Sequence, residues 1–584
     1  MENQRNTYLI SRALKSFVAA SILTAATAQL ASTLDAIVLA QFVGEEAMSA
    51  LSLIMPVTTF ISCLGLPMAF GANALAARAI GRHDLKRASV IFSTAVWSIL
   101  SIGLFFSLLI YAGVPVVMDV MTDEPALRTL PAEYLRVYSL GAWLEMLSYA
   151  LCLFVATDGH PRLVTLAVSV GALVNVAVDV LAVAVFGWGI QGIAAGTLAQ
   201  YAVNVLILSR YFRRSSCSYR LIWPRERWQQ FWANVKDGAP VAISNILMSV
   251  SILLIGNICY DALGERGFFF WSVCLQMLLI SAVFINGVME ALFAIGGIML
   301  GEHDLRGLNL LARRCLTGIS LLAALLIGLM WTPGVVGILF GVEDPEEMAR
   351  LNHVLRVFSP YLLCFALTLI LVATYQVLER EVLSIVTVVS QLALVVAAVW
   401  LFACHAPDDV WYAFPLTGGL FLGCQLLYTY IYSRRHDCRV SGLTLIPYSE
   451  GGHTLDSSVN YSTEDVTATL SRIERFLLDQ GIDKNTAFNV ILCCEELMEN
   501  IAQHSTGHIV SHTFDVHVFI KDGMVQIAVK DGGRPFDPIA RGKAAKLKLV
   551  DNNIPDLGVS IAANIVSDIS YKYMYGQNMV LIKV

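Results

Sequence analysis

Charge is scarce in this chain. Only 14% of its 584 residues are charged while 57% are hydrophobic, against about 25% charged in an average soluble domain. Soluble cores do not need that much apolar side chain, so the composition points to a polytopic membrane protein. Ordered cysteine spacing is also missing: the twelve Cys are scattered, and only Cys493 and Cys494 are adjacent. That pattern excludes a disulfide framework or a zinc site as the organising device. There is no Gly-x-x-x-x-Gly-Lys loop, which excludes a Walker-type motor. A cleavable leader is not expected either, because the polar start with Arg5, Arg12 and Lys15 leads straight into a full-length apolar run.

What is present is a series of apolar runs long enough to cross a bilayer, each about 20 residues or more. They fall at 16–42, 47–72, 89–116, 133–156, 163–186, 189–209, 238–260, 268–299, 313–333, 352–376, 382–404 and 410–433. Basic residues alternate with them. One set of loops carries Arg78, Arg82, Lys86 and Arg87, then Arg162, the cluster from Arg210 to Lys236, then Arg306, Arg313 and Arg314, Arg380, and Arg434 with Arg435. The other set holds little beyond Arg128, Arg266 and Arg350. The positive-inside rule then places both ends of the bundle in the cytoplasm of a cell that carries the protein in its plasma or inner membrane. Topology accounts for these basic clusters, so no nucleic-acid partner is expected.

The bundle contains a repeat. Gly81-Arg82-His83-Asp84-Leu85 recurs as Gly301-Glu302-His303-Asp304-Leu305, and Leu135-Arg136-Val137-Tyr138-Ser139 recurs as Leu355-Arg356-Val357-Phe358-Ser359, both at an offset of about 220 residues. The expected organisation is a cytoplasmic N-terminus at 1–15, a first six-span lobe at 16–209, a basic inter-lobe loop at 210–237 and a second lobe at 238–437. Two such lobes rocking about a central cavity is a known transporter plan.

Acids inside these spans are costly and mark function by default. Asp35 stands in the first span. Asn175 and Asp179 stand at i and i+4 in the fifth, on one helical face. If Asp35 and Asp179 approach each other, both cannot easily stay ionised, and one holds a proton that a cation or a conformational change displaces. Asn175 suits either a proton relay or a sodium shell. No acid stands at the repeat-equivalent positions of the second lobe, so the coupling site is expected to be asymmetric. Glu145 in the fourth span and Glu290 in the eighth are further candidates for ion or substrate contact, or for a cavity edge.

Asp35, Gly81, Asp158-Gly159-His160-Pro161-Arg162, Asn175 to Asp179, Gly189-Ile190-Gln191-Gly192-Ile193-Ala194-Ala195 and Gly238-Ala239-Pro240 together resemble the multidrug and toxic compound extrusion family over roughly 10–437. The resemblance implies a proton- or sodium-coupled antiporter for small, often cationic, organic compounds, with Asp35, Asn175 and Asp179 at the ion-site positions. The second lobe departs from the pattern in having no matched acidic site.

After Arg439 the composition changes. Residues 438–460 read as a polar linker, and 461–584 as a separate α/β two-layer sandwich large enough to fold alone. Ser462-x-x-Asp465 opens a helix to about Gln480, and Lys484–His504 forms a second. Strands follow at 514–520 and 525–530, a helix near 559–566, and strands near 570–575 and 579–584. Glu496 and Asn500 share one helical face, where an amide oxygen could hold a magnesium ion and a carboxylate could orient water. Asp531-Gly532-Gly533 ends a strand with backbone bare enough for a planar base. These elements resemble the gyrase, chaperone and histidine-kinase type of ATPase, closest to its anti-sigma-factor-like serine kinases. The resemblance implies Glu496 as the catalytic acid, Asn500 as the magnesium ligand, Asp531 and Gly533 as adenine-site residues and Gly558 as the remnant of the phosphate lid, with ATP and magnesium as cofactors.

The leading expectation is an exporter driven by an ion gradient, with a nucleotide-responsive tail. A membrane sensor whose tail captures a regulatory protein, and a flippase for lipid-linked precursors, are the alternatives.

Overall fold

The computed structural model describes residues 8–121, 128–214, 216–223, 227–340, 342, 344–435, 440–442, 444–448, 451–504, 513–537 and 568–584. The first lobe is built from α1 (Tyr8–Phe42), α2 (Glu45–Gly81), α3 (Leu85–Met121), α4 (Thr129–Thr157), α5 (Pro161–Val180) and α6 (Ile190–Tyr211). The second runs through α7 (Arg227–Ala291), the short α8 (Gly297–Gly301), α9 (Leu305–Trp331), α10 (Val335–Leu339), α11 (Pro345–Phe358), α12 (Pro360–Val377), α13 (Glu381–His405) and α14 (Ala413–Arg435). Eleven helical segments among the described residues are long and apolar enough to cross a membrane, and the chain is a multi-span membrane protein. One of the eleven, Trp228–Gly301, has 74 residues. At 1.5 Å per residue it is about 110 Å long, several times an apolar layer of about 30 Å. It turns back at Gly264, whose φ of 67° no ordinary helical residue adopts. This one segment therefore holds the two separate runs expected at 238–260 and 268–299.

The repeat is visible as backbone. Residues 82–84 close α2 with N–H donations to the carbonyls of Arg78, Ile80 and Ala79, and 302–304 close α8 with the same three donations to Ile298, Leu300 and Met299. His83 and His303 take the left-handed position at φ 57° and 61°. A second pair of turns matches in the same way. Gly159, at φ 90°, ends α4, and Glu379, at φ 60°, ends α12.

Small residues let the lobes touch. A Cβ on Gly71 of α2 would lie 1.9 Å from the Asn234 carbonyl oxygen of α7, and one on Gly238 would lie 2.0 Å from the Pro67 carbonyl oxygen. Near the tail, Gly81 and Gly301 meet almost Cα to Cα. Close backbone approach of this kind supplies the van der Waals contact that holds helices together where apolar burial adds nothing. Arg78, almost fully buried, reaches from α2 to Asp237 of α7 and to Glu379 of the second lobe at 3.1 Å.

The tail opens with a two-stranded hairpin, β1 (Val440–Ser441) and β2 (Ile446–Pro447). Next come β3 (His453–Asn460), α15 (Thr463–Asp479), α16 (Lys484–His504), β4 (Thr513–Lys521), β5 (Met524–Asp531), β6 (Asp568–Met574) and β7 (Gln577–Lys583). The sheet order is β3-β4-β5-β7-β6, antiparallel throughout. Helices α15 and α16 bury Ile473, Leu477, Cys494 and Leu497 against Val516, Val518, Ile527 and Val529.

Three boundaries differ from the expected ones. The first helix is already formed at Tyr8, the first described residue, rather than from 16, and its Leu9 carbonyl and Arg12 side chain bond to the tail. The basic loop expected over 210–237 is helical from Arg227. Residues 453–460, expected as linker, form an edge strand paired along its whole length with β4. The helix expected near 559–566 lies outside the described residues.

Gly71→Val and Gly238→Val should each force α2 and α7 apart, costing roughly 1–3 kcal/mol. The expected outcome is a clearly lower melting temperature in detergent, with an unchanged midpoint counting against this contact.

Candidate functional site

Asp35, Asn175 and Asp179 converge where α1 packs on α5 and α6. Asn175 and Asp179 are fully buried, and Asp35 is partly so. The carboxyl groups of Asp35 and Asp179 lie within hydrogen-bonding reach of each other. Two carboxyl oxygens in such contact attract only with a proton between them. The Asn175 amide is satisfied at both ends when its nitrogen donates to Asp35 Oδ1 at 2.8 Å and its oxygen accepts from the Thr197 backbone N–H at 3.2 Å.

Gly196 makes room for the pair. A Cβ there would lie 1.9 Å from Asp179 Oδ1 and 3.1 Å from the Asn175 carbonyl oxygen. The two glycines before it have other tasks: Gly189 turns the chain at φ 57°, and Gly192 packs on Ala182 and Val183. Those two residues belong to a π-helical turn, Leu181–Val185, that directly follows α5. A second π turn, Leu292–Gly296, follows Glu290 in the same way. Such turns are rare and gather at functional positions.

Around the pair and Glu145 stand polar residues that the sequence did not single out. Tyr134 is hydrogen-bonded to Thr197, and Tyr138 and Tyr201 both engage Glu145, which also accepts from Ser62 Oγ at 2.6 Å. Tyr134 and Tyr138 lie one turn apart on α4, a spacing open to inspection in the sequence but silent about its target. Glu290 of α7 joins different groups: it is hydrogen-bonded to Ser21 of α1 and neighbours Tyr149 and Cys152 of α4.

In the tail, Asn500 Nδ2 donates to the Glu496 carbonyl at 2.7 Å and to Glu496 Oε1 at 3.3 Å, so this pair is in contact on one flank of α16. Asp531, buried at the end of β5, accepts from the Gly533 N–H at 2.8 Å and from Asn578 Nδ2 at 3.0 Å. Burial raises the affinity of the Asp531 carboxyl for a proton, and those two donors offset part of the shift. Asn578 also donates to the Arg534 carbonyl at 2.9 Å and accepts from Tyr571 and from the Phe536 N–H. It faces Asp531 across the β5–β7 ladder, a register that no local spacing reveals. Gly558 lies outside the described residues. Asp304, Asp456 and His517 bring ligand-type atoms within 4.8 Å of one another. Asp456, however, is taken by Arg306 and by His517 Nδ1, and Asp304 accepts from the Gly307 N–H. Protein donors thus engage Asp456 and one Asp304 oxygen at the junction of bundle and tail, while His517 Nε2 makes no hydrogen bond among the described residues.

Residues 20–181 match the MatE family and residues 459–584 the histidine kinase-like ATPase domain family. The multidrug export protein MepA of Staphylococcus saprophyticus is 22% identical over 252 residues, which cover 43% of this chain and 56% of that protein. The chain thus spans about half the length of the curated relatives it matches. Among solved structures, a MATE protein in complex with MaL6 superposes with a TM-score of 0.66 at 18% identity, covering 73% of this chain and 95% of that one. An outward-facing multidrug resistance MATE family transporter of the MOP superfamily gives 0.65 at 18% identity with the same coverage. The chain carries a MatE domain followed by a histidine kinase-like ATPase domain, and its bundle has the MATE fold.

Asn578→Ala should release the turn at 534–536 while the sheet persists. Hydrogen exchange at the Phe536 amide is expected to speed up by about tenfold, the equivalent of roughly 1.4 kcal/mol; an unchanged rate would mean another group holds the turn.

Proposed function

We propose that this MATE-fold bundle exports small organic, often cationic, compounds by exchanging them for protons or sodium at Asp35, Asn175 and Asp179. The single observation that supports this reading best is the contact between the Asp35 and Asp179 carboxyls, with Asn175 bridging to Asp35. Displacing the shared proton leaves two like charges together inside a bundle without bulk water, so occupancy and conformation are strongly coupled. The first lobe therefore senses the ion gradient, and a change in the tilt of α1 against α5 is the natural response. Substrate would occupy the cavity between lobes, as in other two-lobe transporters, with Glu290 and Glu145 as candidate cation contacts.

In this reading the protein sits in the plasma or inner membrane with both termini cytoplasmic, in accord with its basic loops. The tail binds an adenine nucleotide, with Asp531 accepting from the exocyclic amine and Gly533 leaving space for the ring. Glu496 and Asn500 would orient water and hold magnesium. No Walker-type loop is present, so the gradient drives flux and the nucleotide regulates it.

In vesicles with proton and sodium gradients imposed separately, Asp35→Asn should abolish gradient-driven efflux of an organic cation while nucleotide still binds. Gly196→Ala, by displacing the Asp179 carboxyl, should lower the rate at least tenfold. Full efflux by Asp35→Asn would refute ion exchange at this site. Independently, Asp531→Asn should weaken binding of a fluorescent adenine nucleotide to the full chain by tenfold or more, and equal binding would remove Asp531 from the adenine site.

A further inference from the structure

Each copy of the repeated Gly-x-His-Asp-Leu loop grips the tail, but by a different side of its sheet. In the first copy, the His83 ring meets the Ser570 hydroxyl of β6, and the Arg82 carbonyl accepts from the Lys583 ammonium of β7. In the second, Glu302 holds the Lys530 ammonium of β5, and the His303 ring stacks on Phe519 of β4, with centroids 4.3 Å apart and planes 14° from parallel.

Neighbouring segments widen both grips. On the first-lobe side, buried Asp158 pairs with Lys572 of β6, the Thr157 carbonyl accepts from Tyr575 at 2.7 Å, and the Leu9 carbonyl accepts from Gln577 at 2.6 Å. On the second-lobe side, Arg306 reaches Asp456 of β3 at 3.3 Å. Arg12 of α1 crosses to the Gly532 carbonyl at 3.0 Å, next to Asp531.

Sheet order gives these contacts their meaning. Strands β3, β4 and β5 hold the second lobe, while β7 and β6 hold the first, so the boundary between lobes runs beneath the β5–β7 ladder. A hydrogen-bonded ladder does not stretch, and the lobes beneath it are already shut by Gly81 on Gly301 and by Arg78 on Asp237 and Glu379. We propose that the tail is a clamp: docked across both copies of the repeated loop, its sheet holds this side of the bundle closed until one grip lets go. Its consequence for flux rests on the transport reading above; the clamping itself does not.

Acid should loosen the clamp. Docking buries His83 beneath Ser570 and among the Lys583, Lys572 and Lys530 ammoniums, which pushes its pKa down to about 3 from an ordinary 6.5. Depressed on docking, this group supports the docked state fully above about 6.5, and its support fades as pH falls toward 3. Burial works against ionisation of Asp158, but Lys572, with hydrogen bonds from Ser218 and Tyr211, holds it below the usual carboxylate range. Its contribution likewise fades in acid, only at lower pH.

The test uses the full chain, with exposed Cys404 and Cys424, and Cys438, replaced by serine. Spin labels at Lys86→Cys and Arg313→Cys report the distance between lobes on the tail side. One narrow distribution is expected at neutral pH. Lys530→Glu with Lys572→Glu, or Phe519→Ala alone should the first fail to fold, should add a longer-distance population, as should lowering the pH to 5. A second, independent arm joins His83→Cys to Ser570→Cys and His303→Cys to Phe519→Cys oxidatively. Both links together should cut flux at least tenfold, reversibly with reductant, and should keep the distance narrow at pH 5. An unchanged distribution in the charge-reversed and Phe519 variants would overturn the clamp. If no variant transports anything, the exporter reading fails, while the distance measurement still decides the clamp.

Discussion

A carboxyl group inside a lipid-embedded bundle has no bulk water to stabilise its charge, and the fold of the first lobe depends on how that need is met. Asp35 and Asp179 meet it with each other and with Asn175. For them to do so, α1 must lie against α5, α5 must end in a π turn that re-aims the chain, and α6 must present a residue without a side chain at Gly196. Gly189 and Gly192 of the family-like segment supply a turn and a close approach to the π segment, and Gly196 just beyond it leaves the vacancy that the Asp179 carboxylate fills.

Duplication supplies the second organising feature. The two lobes close on each other through equivalent glycines, and each ends its closing helix with the same left-handed histidine turn. Equivalent turns have diverged in chemistry. Arg82 offers a carbonyl where Glu302 offers a carboxylate, and in the other pair of turns Asp158 takes a lysine from the tail while Glu379, the counterpart of Gly159, takes Arg78 from the opposite lobe. An antiparallel sheet laid over this near-symmetric platform finds a different partner at each end, which fixes its orientation. Buried ion pairs such as Lys530–Glu302 add little net stability, but removing one partner leaves a charge stranded, so they specify docking more than they strengthen it.

The turn at Asp531–Gly533 is placed to feel that docking. Lys530, which holds the second lobe, and Asp531, which Asn578 and Gly533 hold, are consecutive residues of one strand and project to opposite faces. Arg12 meanwhile grasps Gly532 from the first lobe. Whatever rearranges the 531–533 turn therefore disturbs contacts with both lobes.

Much of this was legible residue by residue. Apolar runs of bilayer length, alternating basic loops, the paired Gly-x-His-Asp-Leu segments and the i, i+4 spacing of Asn175 and Asp179 are local properties, and length, charge and helical period determine them. The tail's helices, with the Ser462 cap accepting from Asp465 N–H, and its described strands followed from equally local signals. Residues 453–460 were misread as linker because an edge strand is defined by the partner it pairs with, here β4. The turn at Gly264 within α7 falls in the gap between the apolar runs at 238–260 and 268–299, so it too was legible locally. Tertiary structure alone decided that Asp35 meets Asp179 across 144 positions, that Tyr134 and Tyr201 stand beside Asp35 while Tyr138 and Tyr201 engage Glu145, and that Asn578 faces Asp531. Only it decided, too, that the tail sits across both lobes. Sequence spacing constrains what lies within a turn or a strand of a residue; contacts between distant segments arise from packing, which no single stretch encodes.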